Sequence, residues 1–166
     1  MATFDKYSRY YDLLYKDKDY ASEAAFVSKL IRQHSPGART VLELGCGSGI
    51  HAQLLAGQGY AVHGVDRSEE MLAKARARQA ASPDKLSTKL GFSQGDIRTV
   101  RLSRRFDAVV SLFHVFSYQT SNQDLQLALQ TAREHLMPGG ILIFDCWYGP
   151  AVLAQRPAVR IKRMQD

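Results

Sequence analysis

Between Arg39 and Asp145 the chain alternates short apolar runs with stretches of helical periodicity, and this alternation limits the folds open to it. Thr40-Val41-Leu42-Glu43-Leu44, Tyr60-Ala61-Val62-His63-Gly64-Val65, residues 88–94, Phe106-Asp107-Ala108-Val109-Val110-Ser111-Leu112 and Ile141-Leu142-Ile143-Phe144-Asp145 read as strands. Residues 50–58, 68–80 and 122–136 between them read as helices, the last with Leu125, Leu129, Ala132 and Leu136 on one face. Strands separated by helices imply an α/β fold with a doubly wound, mostly parallel sheet covered on both faces. Right-handed crossovers then leave few topologies.

Local punctuation sets the boundaries. Ser68 is placed to cap a helix, with Glu69 and Glu70 at its positive end. Ser82-Pro83 breaks that helix, and Pro138-Gly139-Gly140 is expected to turn the chain into its fifth strand. Upstream, Tyr7, Tyr10, Tyr11, Leu14 and Tyr15 recur at helical spacing over 5–16, and a second helix follows over about 19–34, ended by Ser35-Pro36-Gly37. The expected organisation is a helical cap over 1–36, a sheet domain over 37–150, and the start of a further segment over 151–166.

The 166 residues suit one domain. No run approaches the roughly 18 apolar residues of a membrane span, and Met1-Ala2-Thr3-Phe4-Asp5-Lys6 lacks a secretory pattern. Cys46 and Cys146 make no disulfide framework, so a cytoplasmic location is the simplest expectation. The net charge of +6 is scattered over Lys74, Arg76 and Arg78, over Arg98, Arg101, Arg104 and Arg105, and over Arg156, Arg160, Lys162 and Arg163. Aromatic residues do not interleave with these groups as stacking platforms would, which argues against a nucleic-acid partner.

The chemistry concentrates at Gly45-Cys46-Gly47-Ser48-Gly49, between the first strand and its helix, where glycines let the backbone turn and approach a ligand. The dinucleotide fingerprint G-x-G-x-x-G is not met, because the third glycine is at 49 and position 50 is Ile. Glu43, two residues before the loop, would oppose a pyrophosphate at the helix N-terminus. A carboxylate there suits a ligand with an α-ammonium or a sulfonium, and S-adenosylmethionine carries both without a phosphate. Asp66 ends the second strand, where a carboxylate can accept from ribose hydroxyls. Asp96 ends the third, within reach of an adenine amino group. Glu43, Asp66, Asp96 and Ser111 thus fall at carboxyl ends of strands, where ligands bind in open α/β sheets. Each could also be a turn-forming residue.

These segments, with Gly64-Val65-Asp66-Arg67-Ser68 through Met71-Leu72, Gly95-Asp96-Ile97 and Leu136-Met137-Pro138-Gly139-Gly140, resemble class I S-adenosylmethionine-dependent methyltransferases over about residues 38–146. Tyr10-Tyr11-Asp12 through Tyr15, then Asp19-Tyr20-Ala21, look like the amino-sugar N-methyltransferases of the desosamine type. The resemblance implies strand order 3-2-1-4-5. It also implies that Gly45, Cys46, Gly47 and Gly49 approach the methionine part of the cofactor, with Asp66 on the ribose. Arg67 and Met71 would flank the adenine, Asp96 and Ile97 its edge, and Ser111 and Leu112 the methionine end. N-terminal helices close over the cofactor in that subgroup, making Tyr11 and Tyr15 candidate contacts; a packed helix face would explain them equally well. The family continues into an antiparallel 7-6 hairpin. Only about twenty residues follow Asp145 here, so a truncated domain is expected, with Val159-Arg160-Ile161-Lys162-Arg163 as a strand cut short. A fifth strand left at the sheet edge invites pairing with a second copy.

Methyl transfer needs alignment and exclusion of water, and a general base only where the nucleophile begins protonated. The segment after the fourth strand, Phe113-His114-Val115-Phe116-Ser117-Tyr118-Gln119, supplies His114 as a candidate base and Tyr118 as a hydrogen-bonding or cation-facing group. A packed or capping His114 is the structural alternative. No Asn/Asp-Pro-Pro-aromatic run, the mark of nucleobase amino methylases, is present. No His/Cys/Asp/Glu cluster has metal-ligand spacing. A small-molecule acceptor, with an N or O nucleophile and possibly a sugar, is the leading expectation. A cofactor-binding domain without activity, an RNA methyltransferase and an NAD-type oxidoreductase are the alternatives.

Overall fold

The computed structural model describes residue 15 and residues 17–155. The expected helix over 5–16, Tyr11, and the strand expected over 159–163 lie outside the described residues. In chain order the elements are α1 (Tyr20–His34), β1 (Thr40–Leu44), α2 (Ile50–Gly57), β2 (Ala61–Asp66), α3 (Glu69–Ala80), α4 (Asp84–Ser87), β3 (Leu90–Gln94), β4 (Phe106–Ser111), a 3₁₀ turn (Val115–Tyr118), α5 (Asn122–Glu134), β5 (Leu136–Phe144) and α6 (Gly149–Ala154). The five strands form one parallel sheet in the order β3-β2-β1-β4-β5.

The two-residue period of the strands sorts their side chains into two cores. Val41 of β1 and Ala108 and Val110 of β4 pack with Ala24, Val27 and Ile31 of α1 and with Ala52 and Leu55 of α2. Leu42, Leu44 and Val109 face the other way, onto Phe116 and onto Ala128 and Ala132 of α5. Glu43 therefore shares its face with Val41 and is driven under α1 and α2. Helix α1 is part of this packing: Asp19 caps it by accepting from the Ser22 amide at 2.9 Å. Its Ser28 hydroxyl lies 3.3 Å from the Tyr60 hydroxyl.

Asp107 fixes the start of β1. One of its carboxylate oxygens accepts from the Arg39 and Thr40 amides and from the Thr40 hydroxyl, each at 2.8 Å. Burial alone would raise its pKa, but these donors hold it below the ordinary carboxylate range.

One local expectation is corrected. Pro138-Gly139-Gly140 does not precede the fifth strand; it lies inside β5 as a bulge. Phe106 pairs with Leu136 while Ala108 pairs with Ile141, so β5 carries extra residues against one step of β4. Gly139, at φ +79°, absorbs the kink. After Ser82-Pro83 the chain makes the short helix α4, which the breaker residues hid. The Ser68 cap is as expected, its hydroxyl accepting from the Met71 amide at 3.3 Å.

Candidate cofactor cleft and acceptor face

The loop leaving β1 turns because Gly45, Gly47 and Gly49 all adopt positive φ, +78°, +53° and +76°. The Gly45 and Cys46 amides both donate to the Val65 carbonyl, at 2.7 and 3.0 Å, which ties the loop to the end of β2. A Cβ on Gly45 would sit 2.6 Å from a Val115 methyl, so backbone and neighbour both require glycine there. Asp66 braces the loop from below: Oδ2 accepts from the Gly47 amide at 2.8 Å and Oδ1 from the Ser68 amide at 2.9 Å. Each oxygen retains a lone pair that can accept from a ligand hydroxyl. Met71 packs its methyl under Gly47, and Arg67 is exposed beside Asp66.

Glu43 is the unusual group. It lines the cleft with Gly45, Cys46, Gly47, His51 and Leu112 and is 1% exposed. Its Oε2 is buried with no hydrogen-bond partner. Burial first, and then the charge of Asp66, push its pKa up to about 8, which the Ala52 amide offsets only in part. His51 Nδ1 lies 3.9 Å from Glu43 Oε1, but burial holds His51 below its ordinary pKa. It is neutral at pH 7, and the contact is not an ion pair. The other ring nitrogen of His51 is 2.9 Å from Glu23 Oε2. The cleft thus holds a buried carboxyl whose ionisation awaits a cation. That matches the ammonium or sulfonium of S-adenosylmethionine and does not suit a diphosphate.

Other sequence candidates are placed differently. Ser111 is fully buried and donates to the Leu44 carbonyl at 2.8 Å, clamping β4 to β1 instead of lining the methionine end. Leu112, next to it, does line the cleft. Both oxygens of Asp96 are taken by the Arg98 guanidinium, at 2.9 and 2.6 Å, and Arg98 also reaches Asp124 of α5 at 2.9 Å. That pairing leads the causes that lower the Asp96 pKa. It leaves Asp96 to accept from an adenine only by sharing an oxygen with Arg98. Ile97 packs its side chain into the α5-side core, so a contact to an adenine edge falls to its backbone. Burial, then the charges of Glu43 and Asp66, push the Cys46 thiol well above its ordinary pKa, so it is a small wall of the cleft and no nucleophile. His63 is a packed side chain on Ser93, at 2.8 Å, with its pKa lowered to about 4 by burial.

At the mouth, Tyr15 meets Phe113 edge to face at 4.8 Å, and the Lys18 ammonium sits 4.7 Å from the Phe113 ring. Tyr20, on α1, lines the cleft and contacts His51 edge to face at 5.0 Å. Phe113 and His114 are consecutive non-glycine residues at positive φ, +65° and +62°. Such backbone persists only where its surroundings over-determine it. Here the Asp145 carboxylate does so: Oδ1 accepts from the His114 amide at 2.8 Å, and Oδ2 lies 3.3 Å from His114 Nδ1. Trp147 lies beside the imidazole, 6.0 Å between ring centroids, and its other neighbour is the Tyr118 ring at 6.4 Å. Sequence reasoning singled out His114 and Tyr118 but missed Asp145 and Trp147. Their only signal was a polar and an aromatic residue just past the fifth strand.

The five-strand order, the glycine loop and the acidic residues at strand ends together define a class I methyltransferase α/β fold. The Methyltransferase domain family matches residues 41–140, and the chain belongs to that family. It is 37% identical over 146 residues to dTDP-3-amino-3,4,6-trideoxy-alpha-D-glucopyranose N,N-dimethyltransferase of Streptomyces venezuelae, covering 87% of this chain and 58% of that protein. It is also 37% identical over 142 residues to dTDP-3-amino-3,6-dideoxy-alpha-D-glucopyranose N,N-dimethyltransferase of Streptomyces fradiae, covering 84% and 52%. The crystal structure of Streptomyces venezuelae DesVI superposes with a TM-score of 0.76 at 35% identity, covering 86% and 58%. The SAM-bound structure of CalS10, an amino pentose methyltransferase from Micromonospora echinaspora, gives 0.75 at 32%, covering 83% and 56%. The chain spans little more than half the length of these relatives. Among the described residues no helix is long and apolar enough to cross a membrane, and no group of His, Cys, Asp and Glu could hold a metal.

Proposed function

We propose that this chain carries the cofactor-binding half of an S-adenosylmethionine-dependent N-methyltransferase whose acceptor is an amino sugar, borne on a nucleotide as in the relatives. The observation that carries the reading is the buried Glu43 carboxyl, unpartnered at Oε2 beside the glycine loop. S-adenosylmethionine supplies an electrophilic methyl carbon. Glu43 receives its cationic amino-acid end, and Gly45, Gly47 and Gly49 allow close approach. Asp66 accepts from the ribose hydroxyls, and Arg67, Met71, Asp96 and Ile97 surround the adenine. Leu112 and Cys46 wall the methionine end. Residues 1–36 act as a cap, with Tyr15 packed on Phe113 at the mouth, and residues 151–166 lead into the acceptor-binding part. An amino sugar is largely protonated at neutral pH and has no lone pair until a base removes a proton; His114 is that base, with Tyr118 beside the acceptor.

Calorimetric titration with S-adenosylmethionine, S-adenosylhomocysteine and NAD tests the cofactor. The first two are expected to bind and NAD is not, and preferential NAD binding refutes the assignment. Methylation of a dTDP-amino sugar, read by mass gain, tests the acceptor. β5 is one of the two edge strands of the sheet, with Met137 and Phe144 exposed, which supports a homodimer through that edge. A monomeric mass by light scattering at high protein concentration overturns that part.

A further inference from the structure

We infer that Asp145 is the positioning residue for methyl transfer: it fixes the His114 imidazole with hydrogen on Nδ1, so that Nε2 receives the proton of the acceptor amine. This rests on the proposed function only for the identity of the acceptor. The geometry is independent of it.

The two residues lie just past the ends of the neighbouring strands β4 and β5, with all of α5 between them in sequence. One carboxylate accepts from the His114 backbone amide at 2.8 Å and lies 3.3 Å from its Nδ1, which is buried without a hydrogen-bond partner and which a small ring rotation would bring onto Oδ2. An ionised carboxylate only accepts, so the nitrogen facing it carries the hydrogen. Nδ1 is buried, whereas 37% of the side chain is exposed, which leaves Nε2 as the ring nitrogen assigned to the acceptor. Trp147 lies beside the ring, 6.0 Å between centroids. Phe113, the adjacent residue, lines the cofactor cleft. The Lys18 ammonium sits above the Phe113 ring, 4.7 Å from its centroid.

In the step assigned to His114, the acceptor ammonium gives one N–H proton to Nε2. The freed nitrogen pair forms the bond to the methyl carbon as the carbon–sulfur pair passes to sulfur. The imidazolium, held by Asp145, then returns its proton to water.

The test is the imidazole tautomer, read by long-range ¹H–¹⁵N correlation at pH 8 on the whole chain, with the His114→Gln spectrum assigning the signal. Wild type is expected to show Nδ1–H. In Asp145→Asn the amide oxygen can keep the backbone contact while its NH₂ faces Nδ1, moving the hydrogen to Nε2. An Nε2–H tautomer in wild type, or no change in the variant, overturns the inference. With a dTDP-amino sugar, Asp145→Asn is expected to lower kcat by roughly 10–100-fold, part of what a general base supplies, with KM for S-adenosylmethionine unchanged. Wild type that binds cofactor but methylates no amino sugar counts against the proposed acceptor, while the tautomer still decides the role of Asp145.

Discussion

Replacing Glu43 by Gln removes a group that the folded protein holds protonated and the unfolded chain does not. The pKa rises from an ordinary 4.5 to about 8 on folding. A carboxyl raised in this way contributes stability that is fully present below pH 4.5 and is lost as pH rises through the folded value. Each unit of pKa is worth about 1.4 kcal/mol. Glu43 therefore lowers stability by up to about 3 kcal/mol at pH 7 and about 5 kcal/mol above pH 8, as an upper bound. For a chain of this size, about 1 kcal/mol moves Tm by roughly 2–4 °C. Gln has the same shape and no titration, so whatever its buried amide costs is independent of pH. The expected result is a Tm difference, variant minus wild type, that climbs between pH 5 and pH 8 and then levels. Differential scanning calorimetry in matched buffers measures it. In parallel, wild-type affinity for S-adenosylmethionine should rise toward pH 8, by up to tenfold per pH unit, while the variant binds weakly and without that slope. A Tm difference that stays flat across this range shows that Glu43 is ionised in the free protein, and the electrostatic account of the cleft fails with it.

Other expectations follow from single contacts. Gly45→Ala places a Cβ 2.6 Å from Val115 at φ +78°; it should cost about 1–3 kcal/mol by strain and abolish cofactor binding by calorimetry. Asp107→Ala leaves the Arg39 and Thr40 amides without their acceptor and should lower stability by about 1–3 kcal/mol in urea unfolding at pH 7. Because the Asp107 pKa is lowered in the fold, that difference should shrink as pH falls below 3.8 toward the folded value. A thiol reagent at pH 7.5 should label exposed Cys146 and spare buried Cys46; rapid double labelling of folded protein contradicts the closed glycine loop.

The sheet and its loop were legible because their signals are local. Period-2 apolar runs, glycines that need positive φ and the Ser68 cap each lie within a few residues of what they specify. The same period also placed Glu43 on the buried face, two positions from Val41. Illegible were the choices made by tertiary contact. Ser111 looks like a ligand-facing strand end until β4 settles beside β1 and its hydroxyl meets the Leu44 carbonyl. Asp96 looks available until Arg98 folds back onto it and α5 brings Asp124 alongside. Pro138-Gly139-Gly140 has turn composition, yet pairing with β4 on both sides keeps it within the strand. Asp145 acquires a role only through a partner 31 residues away.

That distance couples assembly order to chemistry. β5 is the last of the described strands and lies at one edge of the sheet, so the carboxylate beside His114 is in place only when that edge is seated. The Glu43 side of the cleft is built by β1, α1, α2 and the glycine loop, and among its lining residues Phe113 is the one whose backbone leans on the Asp145 contact. On the proposed function, a chain whose outer strand has peeled away keeps Glu43 and the glycine loop but loses the Asp145 contact to the proposed base. Fraying of one border would then slow the proposed turnover more than it weakened binding of the methyl donor.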